Sequence, residues 1–414
     1  MNIYPKMSKI NPFGKDIRLR SVEALRINDE RSRIIKSLKA WQISDSRGKP
    51  TIKIELKTDK GVFQASVPSG TSKGKHEAVE LKALKAVKSV NQIIAPRLIG
   101  KDPEKQKEID NFLIKLDGTK NKSKLGANAI LAVSIAVCRA GAKAKNLSLW
   151  KYISRITKIK PKLPKPSLLL IEGGLHGNSG LDFQEFMVVP EKKSFSDNFQ
   201  VGKTIHNKLK KILEKKFGKR GAQMGMEGGF SPPISDIEKA LGFVKEAIAG
   251  GKAGIGLDCA ASNFKKGKYN TNFYQRLAGK YPIIFLEDPF GEEDWREFQE
   301  ITKKINKVSI IGDDLLTTNV ERMKKAGKKR ACNGTIIKPN QIGTITETLE
   351  AVKLAKSYGW KIMVSHRSGE TNDDFIADLA AGVAADFIKT GGPTKKERKV
   401  KYKRLIKIEK EIRS

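Results

Sequence analysis

The chain has 414 residues, 39% of them hydrophobic and 30% charged, with 81 Lys+Arg against 45 Asp+Glu. That balance excludes wholesale disorder, and the length suggests two or three domains with room for sizeable cores. The net charge of +36 invites a nucleic-acid partner, but the basic excess is spread along the chain and no RNP-like aromatic motif, zinc finger or basic zipper accompanies it, so weak polyanion binding at low salt is the most it predicts.

The first segment, 1–37, is basic and weakly patterned and reads as an N-terminal extension. Lys6, Lys9, Asn11 and Lys15 interrupt any apolar core a signal peptide would need. From Lys39 the pattern sharpens. Residues 51–57 alternate as a half-buried strand, Asp59-Lys-Gly61 is a turn, and residues 62–67 alternate again, which predicts a hairpin. A loop of small residues, Pro68-Ser-Gly-Thr-Ser-Lys-Gly74, leads into helical stretches that run to about Ile153. Ala127 to Cys138 is the most apolar of these, but it is too short for a membrane span and carries Asn128 and Ser134, so it reads as a buried helix. Cys138, Cys259 and Cys332 are too scattered for a disulfide framework and form no C-x-x-C pair; a cytoplasmic protein without a membrane partner is expected. Pro161, Pro164 and Pro166 mark a boundary.

Beyond it a new rhythm begins. Short apolar runs end in turn at Asp258, Glu287, Asp313, Lys338, His366-Arg367 and Lys389, at spacings of 29, 26, 25, 28 and 23 residues, with helix-like segments between. That is the period of a βα unit, and the carboxyl ends of buried strands are where a β/α barrel keeps its chemistry. One polar residue at a strand end is unremarkable, because every strand must end in something polar. Six in register, of these types, point to a site.

Their chemistry narrows the options. Asp258, Glu287 and Asp313 form a trio of anions that needs a cation, and an all-oxygen set favours a hard ion such as Mg²⁺. With only 4 His in the chain, a His-rich zinc centre is excluded. Lys338, His366-Arg367-Ser368 and Lys389 are cations or donors suited to an anionic substrate, Arg367 to bidentate phosphate or carboxylate contact. A lysine beside a divalent cation and other positive groups has reason to lose its proton and act as a base. Together these groups suggest proton abstraction next to a carboxylate. The loop Gly70-Thr-Ser-Lys-Gly74-Lys75-His76 has the wrong spacing for a Walker motif, with His76 where Ser or Thr is required, and reads instead as a mobile lid with a hydroxyl that could reach a metal.

At these residues the sequence resembles the enolase family, from about Ile43 to the C-terminus. The resemblance rests on Asp45-Ser-Arg-Gly-Lys-Pro-Thr51, Val67-Pro-Ser-Gly70, Leu125-Gly-Ala-Asn-Ala-Ile-Leu131, Gln184-Glu-Phe-Met187 and Glu227-Gly-Gly229. It continues through Gly256-Leu-Asp-Cys-Ala260, Leu286-Glu-Asp-Pro-Phe290, Gly312-Asp-Asp314, Lys338-Pro-Asn-Gln-Ile342, Ser365-His-Arg-Ser-Gly-Glu-Thr371 and Ile388-Lys-Thr-Gly391. It implies an α/β chain with an N-terminal α+β capping domain (38–160) and a C-terminal β/α (TIM-type) barrel with an atypical start (161–414). The implied reaction is the reversible, Mg²⁺-dependent dehydration of 2-phospho-D-glycerate to phosphoenolpyruvate in glycolysis and gluconeogenesis, a lyase activity using two Mg²⁺. A lysine or histidine base beside magnesium is the known pattern of that superfamily.

Position by position, the resemblance implies Asp258, Glu287 and Asp313 around the first Mg²⁺, with Ser72 of the lid closing the site around the second. Lys338 would be the base at C2 and Glu227 the acid for the departing C3 hydroxyl. Glu185, with Gln184 nearby, would lie beside that hydroxyl. His176 and His366 would touch substrate, Arg367 and Ser368 would grip phosphate, and Lys389 would meet the carboxylate. Homo-oligomers, dimers and sometimes octamers, are the family habit.

The chain departs from the family pattern in three places. Glu172-Gly-Gly-Leu-His-Gly-Asn178 stands where Asn-Gly-Gly-Ser-His-Ala-Gly is usual, Met226 replaces an Asp, and the lid reads Ser69-Gly-Thr-Ser-Lys-Gly74 where Ser-Gly-Ala-Ser-Thr-Gly is usual. These changes predict altered charge on the acid side of the site. They keep open an alternative, an impaired barrel that binds nucleic acid or another polyanion. The intact carboxylates and Lys338 argue against it.

Overall fold

The computed structural model describes residues 34–71, 74–264 and 268–413; most of the expected basic extension, residues 1–33, lies outside them, as do the lid residues Ser72 and Lys73. The described chain opens with three strands, β1 (Ser37–Ser44), β2 (Pro50–Thr58) and β3 (Gly61–Ser66). They form an antiparallel meander in the order β1-β2-β3, with Lys57 opposite Val62 across the expected turn. Alternation along β2 sends Ile52, Ile54 and Leu56 into the core.

The helix Ala127–Ala144 packs against β2 and β3 and is apolar almost all round. By length and composition it could cross a membrane, yet 83% of it is buried inside the protein, so its apolar surface is already used. Near its end Arg139 reaches out to Asp373 at 2.8 Å and Asp374 at 3.1 Å, tying this α+β layer to the barrel.

The barrel strands are β4 (Lys165–Glu172), β5 (Glu185–Pro190), β6 (Ala253–Asp258), β7 (Ile283–Glu287), β8 (Ser309–Gly312), β9 (Gly334–Ile337), β10 (Lys361–Ser365) and β11 (Phe387–Lys389). They close in the order β10-β11-β4-β5-β6-β7-β8-β9. Every neighbouring pair is parallel except β4–β5 and β5–β6, so β5 alone runs backwards. The inside is filled by Leu169, Met187, Val189, Phe285, Ile311, Ile336, Met363 and Phe387. Gly256 makes room for this packing, because a Cβ there would lie 1.9 Å from the Phe285 ring.

The reversed strand explains the atypical start and has a chemical consequence. An antiparallel strand brings its first residue to the end of the barrel where its neighbours bring their last. Glu185 opens β5 and pairs across with Glu172, which ends β4, and with Asp258, which ends β6. Three carboxylates thus stand side by side on one rim.

Candidate active site

The six strand-end positions meet at that rim. Asp258, Glu287 and Lys389 are the last residues of β6, β7 and β11, while Asp313, Lys338 and His366 directly follow β8, β9 and β10. His176, Glu185, Glu227, Arg367 and Ser368 join most of them around one cavity, with Gly70 from the lid loop. Asp258, Glu287, Glu227, Glu185, His366 and Lys389 are all at most 3% exposed.

One half of the cavity is a network of carboxylates and lysines. The Lys389 ammonium donates to Asp258 Oδ2 and Glu287 Oε2 at 2.8 Å each, with Glu185 Oε1 at 3.2 Å. Burial works against the charge of Lys389, but Asp258, Glu185 and Glu287 hold its pKa well above the ordinary lysine value. Burial, then the neighbouring Asp258, pushes the Glu287 carboxyl up to about 8. Burial is also the main cause that lifts the Glu185 carboxyl well above its usual range. Asp313 pairs with Lys338 and accepts Gln341 Nε2 at 2.9 Å. Its backbone N–H and that of Asp314 are taken by the Asp288 carboxylate at 2.9 and 2.6 Å, which fixes the turn after β8.

Lys338 carries its ammonium against Asp313. Burial disfavours its ammonium, but the adjoining Asp313 outweighs burial and raises its pKa above the ordinary value. A lysine held against a carboxylate stays protonated.

The fit to a hard cation rests on the donors themselves. Asp258, Glu287 and Asp313 offer oxygen only, from adjacent strands, and Glu287 Oε1 and Glu185 Oε2 are buried without a hydrogen-bond partner among the described residues. Two lysines now hold the three carboxylates that a divalent cation would take. A second acidic group, Asp288, Asp313 and Asp314, shares Asp313 with this set.

The other half of the cavity is built from carboxylates and imidazoles. Glu227 lies between His176 Nδ1 at 3.4 Å from Oε1 and His366 Nε2 at 3.2 Å from Oε2. Burial drives the His366 pKa down to about 3, with the Arg398 guanidinium on its Nδ1 reinforcing the effect, so the ring is neutral and its Nε2–H faces Glu227. Burial likewise lowers His176. Burial alone would raise Glu227, but its two imidazole neighbours and Arg398 hold it well below the usual carboxylate range. Glu172, wholly buried, goes the other way: burial and the nearby Glu227 push it up to about 8.

Arg367 and Ser368 form the third wall, and both are engaged. The Arg367 guanidinium makes a fork onto Glu77, at 2.8 and 3.1 Å, and touches Asn340 Oδ1 at 3.2 Å. Ser368 Oγ meets Thr71 Oγ1 at 2.8 Å and accepts the Thr71 N–H at 2.7 Å, while Ser69 pairs with Gly369 as an antiparallel bridge. Ser69 and Thr71 are thereby pinned to the segment after β10.

Sequence reasoning missed Glu77 and Arg398. Arg398 is fully buried and donates to the carbonyl oxygens of Arg367 and Ser368 at 2.6 Å each as well as to His366. It sits in the basic C-terminal run, where surrounding lysines hid it. Glu172 was singled out only as a departure, although it ends β4 as a seventh strand-end charge; the βα rhythm that revealed the other six starts after the antiparallel β5.

Comparison with known proteins agrees with this architecture. Residues 35–153 match the family described as "Enolase, N-terminal domain", and residues 160–273 and 266–414 match "Enolase, C-terminal TIM barrel domain". The chain is 44% identical to "Enolase" of Solanum lycopersicum, the alignment covering 92% of this chain and 96% of that protein. It is 45% identical to "Enolase B" of Dictyostelium discoideum, over 91% of this chain and 95% of that protein.

Proposed function

The chain belongs to the enolase family, and we propose that its rim cluster performs the family's reaction with Lys338 as base and Glu227 as acid. The reaction is the reversible dehydration of 2-phospho-D-glycerate to phosphoenolpyruvate, a lyase step of glycolysis. The observation that supports the assignment is that Lys338 and Glu227 line one cavity together with Arg367 and Lys389.

Asp258, Glu287 and Asp313, with Ser72 from the lid, would hold two Mg²⁺ ions. When bound, the ions neutralise the charge that builds on the substrate carboxylate as its neighbouring carbon loses a proton. Lys338 Nζ takes the proton from C2; as a metal ligand Asp313 would lend the lysine less negative charge, which would favour its neutral amine. Lys389 orients the substrate carboxylate. Arg367 and Ser368 take the phosphate, for which Arg367 shares its fork with Glu77. His176 and His366 line the substrate, and Glu185 stands beside the C3 hydroxyl. Glu227 delivers a proton to that hydroxyl as it leaves. In the reverse direction Glu227 takes the proton from water as the hydroxyl adds to C3.

Cytoplasmic residence and assembly into a homo-oligomer complete this reading, on the family's habit. No observation at the site favours the polyanion-binding alternative, which leaves the intact buried network without a purpose. The test is phosphoenolpyruvate formation from 2-phosphoglycerate, followed by ultraviolet absorbance with and without Mg²⁺. Metal-dependent turnover is expected. Its absence in folded, Mg²⁺-loaded protein overturns the proposal.

A further inference from the structure

Glu172 has a buried carboxyl group and, among the described residues, no ion-pair partner. Its Oε1 accepts the backbone N–H groups of Glu227 at 3.0 Å and Gly229 at 2.6 Å, and its Oε2 lies 3.1 Å from the same Glu227 nitrogen. The main chain repeats the connection: Glu172 N–H donates to Phe230 O and Phe230 N–H to Leu170 O, both at 2.8 Å. Residues 225–230 are thereby fastened to the end of β4.

The turn is also shaped around the carboxyl group. A Cβ on Gly225 would lie 2.2 Å from Glu172 Oε2, and one on Gly229 would lie 3.0 Å from Glu172 Cγ. The far side is held by other groups. His206 Nε2 contacts Gly228 O at 3.1 Å, Lys395 Nζ donates to Met226 O at 2.9 Å, and Gly392 N–H donates to Glu227 O at 2.8 Å. The peptide groups of Glu227 are therefore bound on both sides, the N–H by Glu172 and the C=O by Gly392.

We propose that Glu172 is a positioning residue for proton delivery: its carboxylate fixes the main chain that carries Glu227 and so sets where the Glu227 carboxyl meets the substrate. Glu227 lines the cavity and Glu172 does not, so Glu172 acts through Glu227. The proposal rests on the assignment of Glu227 as the acid. Oε1 alone accepts both N–H groups and, where the carboxyl group is ionised, Oε2 is an acceptor as well, whereas an amide places an N–H₂ against a backbone N–H. Displacement of a catalytic group by as little as about 1 Å can cost on the order of 100-fold in rate.

The experiment separates the two halves of the reaction. The full-length protein with Mg²⁺ and 2-phosphoglycerate in deuterated water is assayed for deuterium uptake at C2, which needs the base, and for phosphoenolpyruvate release, which needs the acid as well. Glu172→Gln, Gly225→Ala and Glu227→Gln are compared with wild type. Glu172→Gln is expected to slow elimination by about 10-fold or more while C2 exchange and KM stay within about 3-fold. Gly225→Ala, which displaces the carboxyl group from outside, should reproduce that split and serves if Glu172→Gln does not fold. Glu172→Asp should recover part of the lost elimination rate.

Elimination at the wild-type rate in both Glu172→Gln and Gly225→Ala overturns the proposal. So does a parallel loss of exchange and elimination, because that is a general structural defect. Should Glu227→Gln fail to separate exchange from elimination, the acid is another group, and the assignment of Glu227 falls together with this inference.

Discussion

The two halves of the cavity handle buried charge in opposite ways. On the base side, Asp258, Glu287 and Asp313 face Lys338 and Lys389, anion against cation at hydrogen-bond distance. On the acid side, Glu172 and Glu227 have imidazoles held neutral by burial, one backbone turn, and Arg398 behind His366. Unpaired buried charges are costly, so the first arrangement is stable as a network, ready to exchange a lysine contact for a cation. The second sets two carboxyl groups at different proton affinities, Glu172 upward and Glu227 downward. One side is built to change its counter-ion and the other to hold or release a proton.

Four measurements would sharpen this contrast or break it. The largest effect is expected for Lys338→Ala, which should lose both C2 exchange and turnover by about 10²-fold or more. Persistent exchange would place the base elsewhere. Next comes metal binding. Adding Mg²⁺ at about 100 times its Kd should stabilise the protein by about 2.7 kcal/mol, and Glu287→Gln should abolish most of that gain in a thermal or denaturant melt. An unchanged gain in the mutant would remove Glu287 from the ligand set.

The acid side also contributes a pH dependence of stability. Burial lowers the His206 pKa from 6.5 to about 4, its ring tilted against that of Phe230 with centroids 4.4 Å apart. The unfolded chain binds the proton that the folded ring refuses, so stability is full above the ordinary histidine value and is lost as pH falls toward the folded one. Between about pH 7 and pH 5 this group accounts for about 2 kcal/mol. His206→Gln should flatten that part of the stability curve; an identical slope would show that His206 titrates normally. The smallest effect is that of Arg367→Lys. It keeps the charge but loses the fork, and KM for the phosphorylated substrate should rise by about 10-fold with the fold intact. An unchanged KM would mean that Glu77 keeps the fork throughout the cycle.

The comparison also marks what could be read in advance. The base side was legible because each of its residues ends a regular βα unit, so a buried apolar run followed by one charge announced it. On the acid side, Glu227 and His176 lie in glycine-rich loops with no period of their own, and only the family resemblance gave them roles. Arg398 and Glu77 carried no signal at all. Each lies far along the chain from its partner, Glu77 pairing with Arg367 and Arg398 with His366, and each stands among other charged residues. The hairpin and the buried helix, by contrast, followed from alternation and from an apolar stretch that a soluble core could cover.

By itself, then, the sequence determined the first hairpin, the buried helix, the βα order of the six later barrel strands and the charged groups at their ends, since all of these depend on periodicities of a few residues. The tertiary structure alone decided the direction of β5, which brought Glu172 and Glu185 to the rim beside Asp258. It also decided which lysine neutralises which carboxylate, and it turned a departure at Glu172 into the clasp of the Glu227 turn. The physical reason is that burial energies and hydrogen bonds at such a rim depend on distances between residues remote in the chain, and those distances exist only once the barrel has closed.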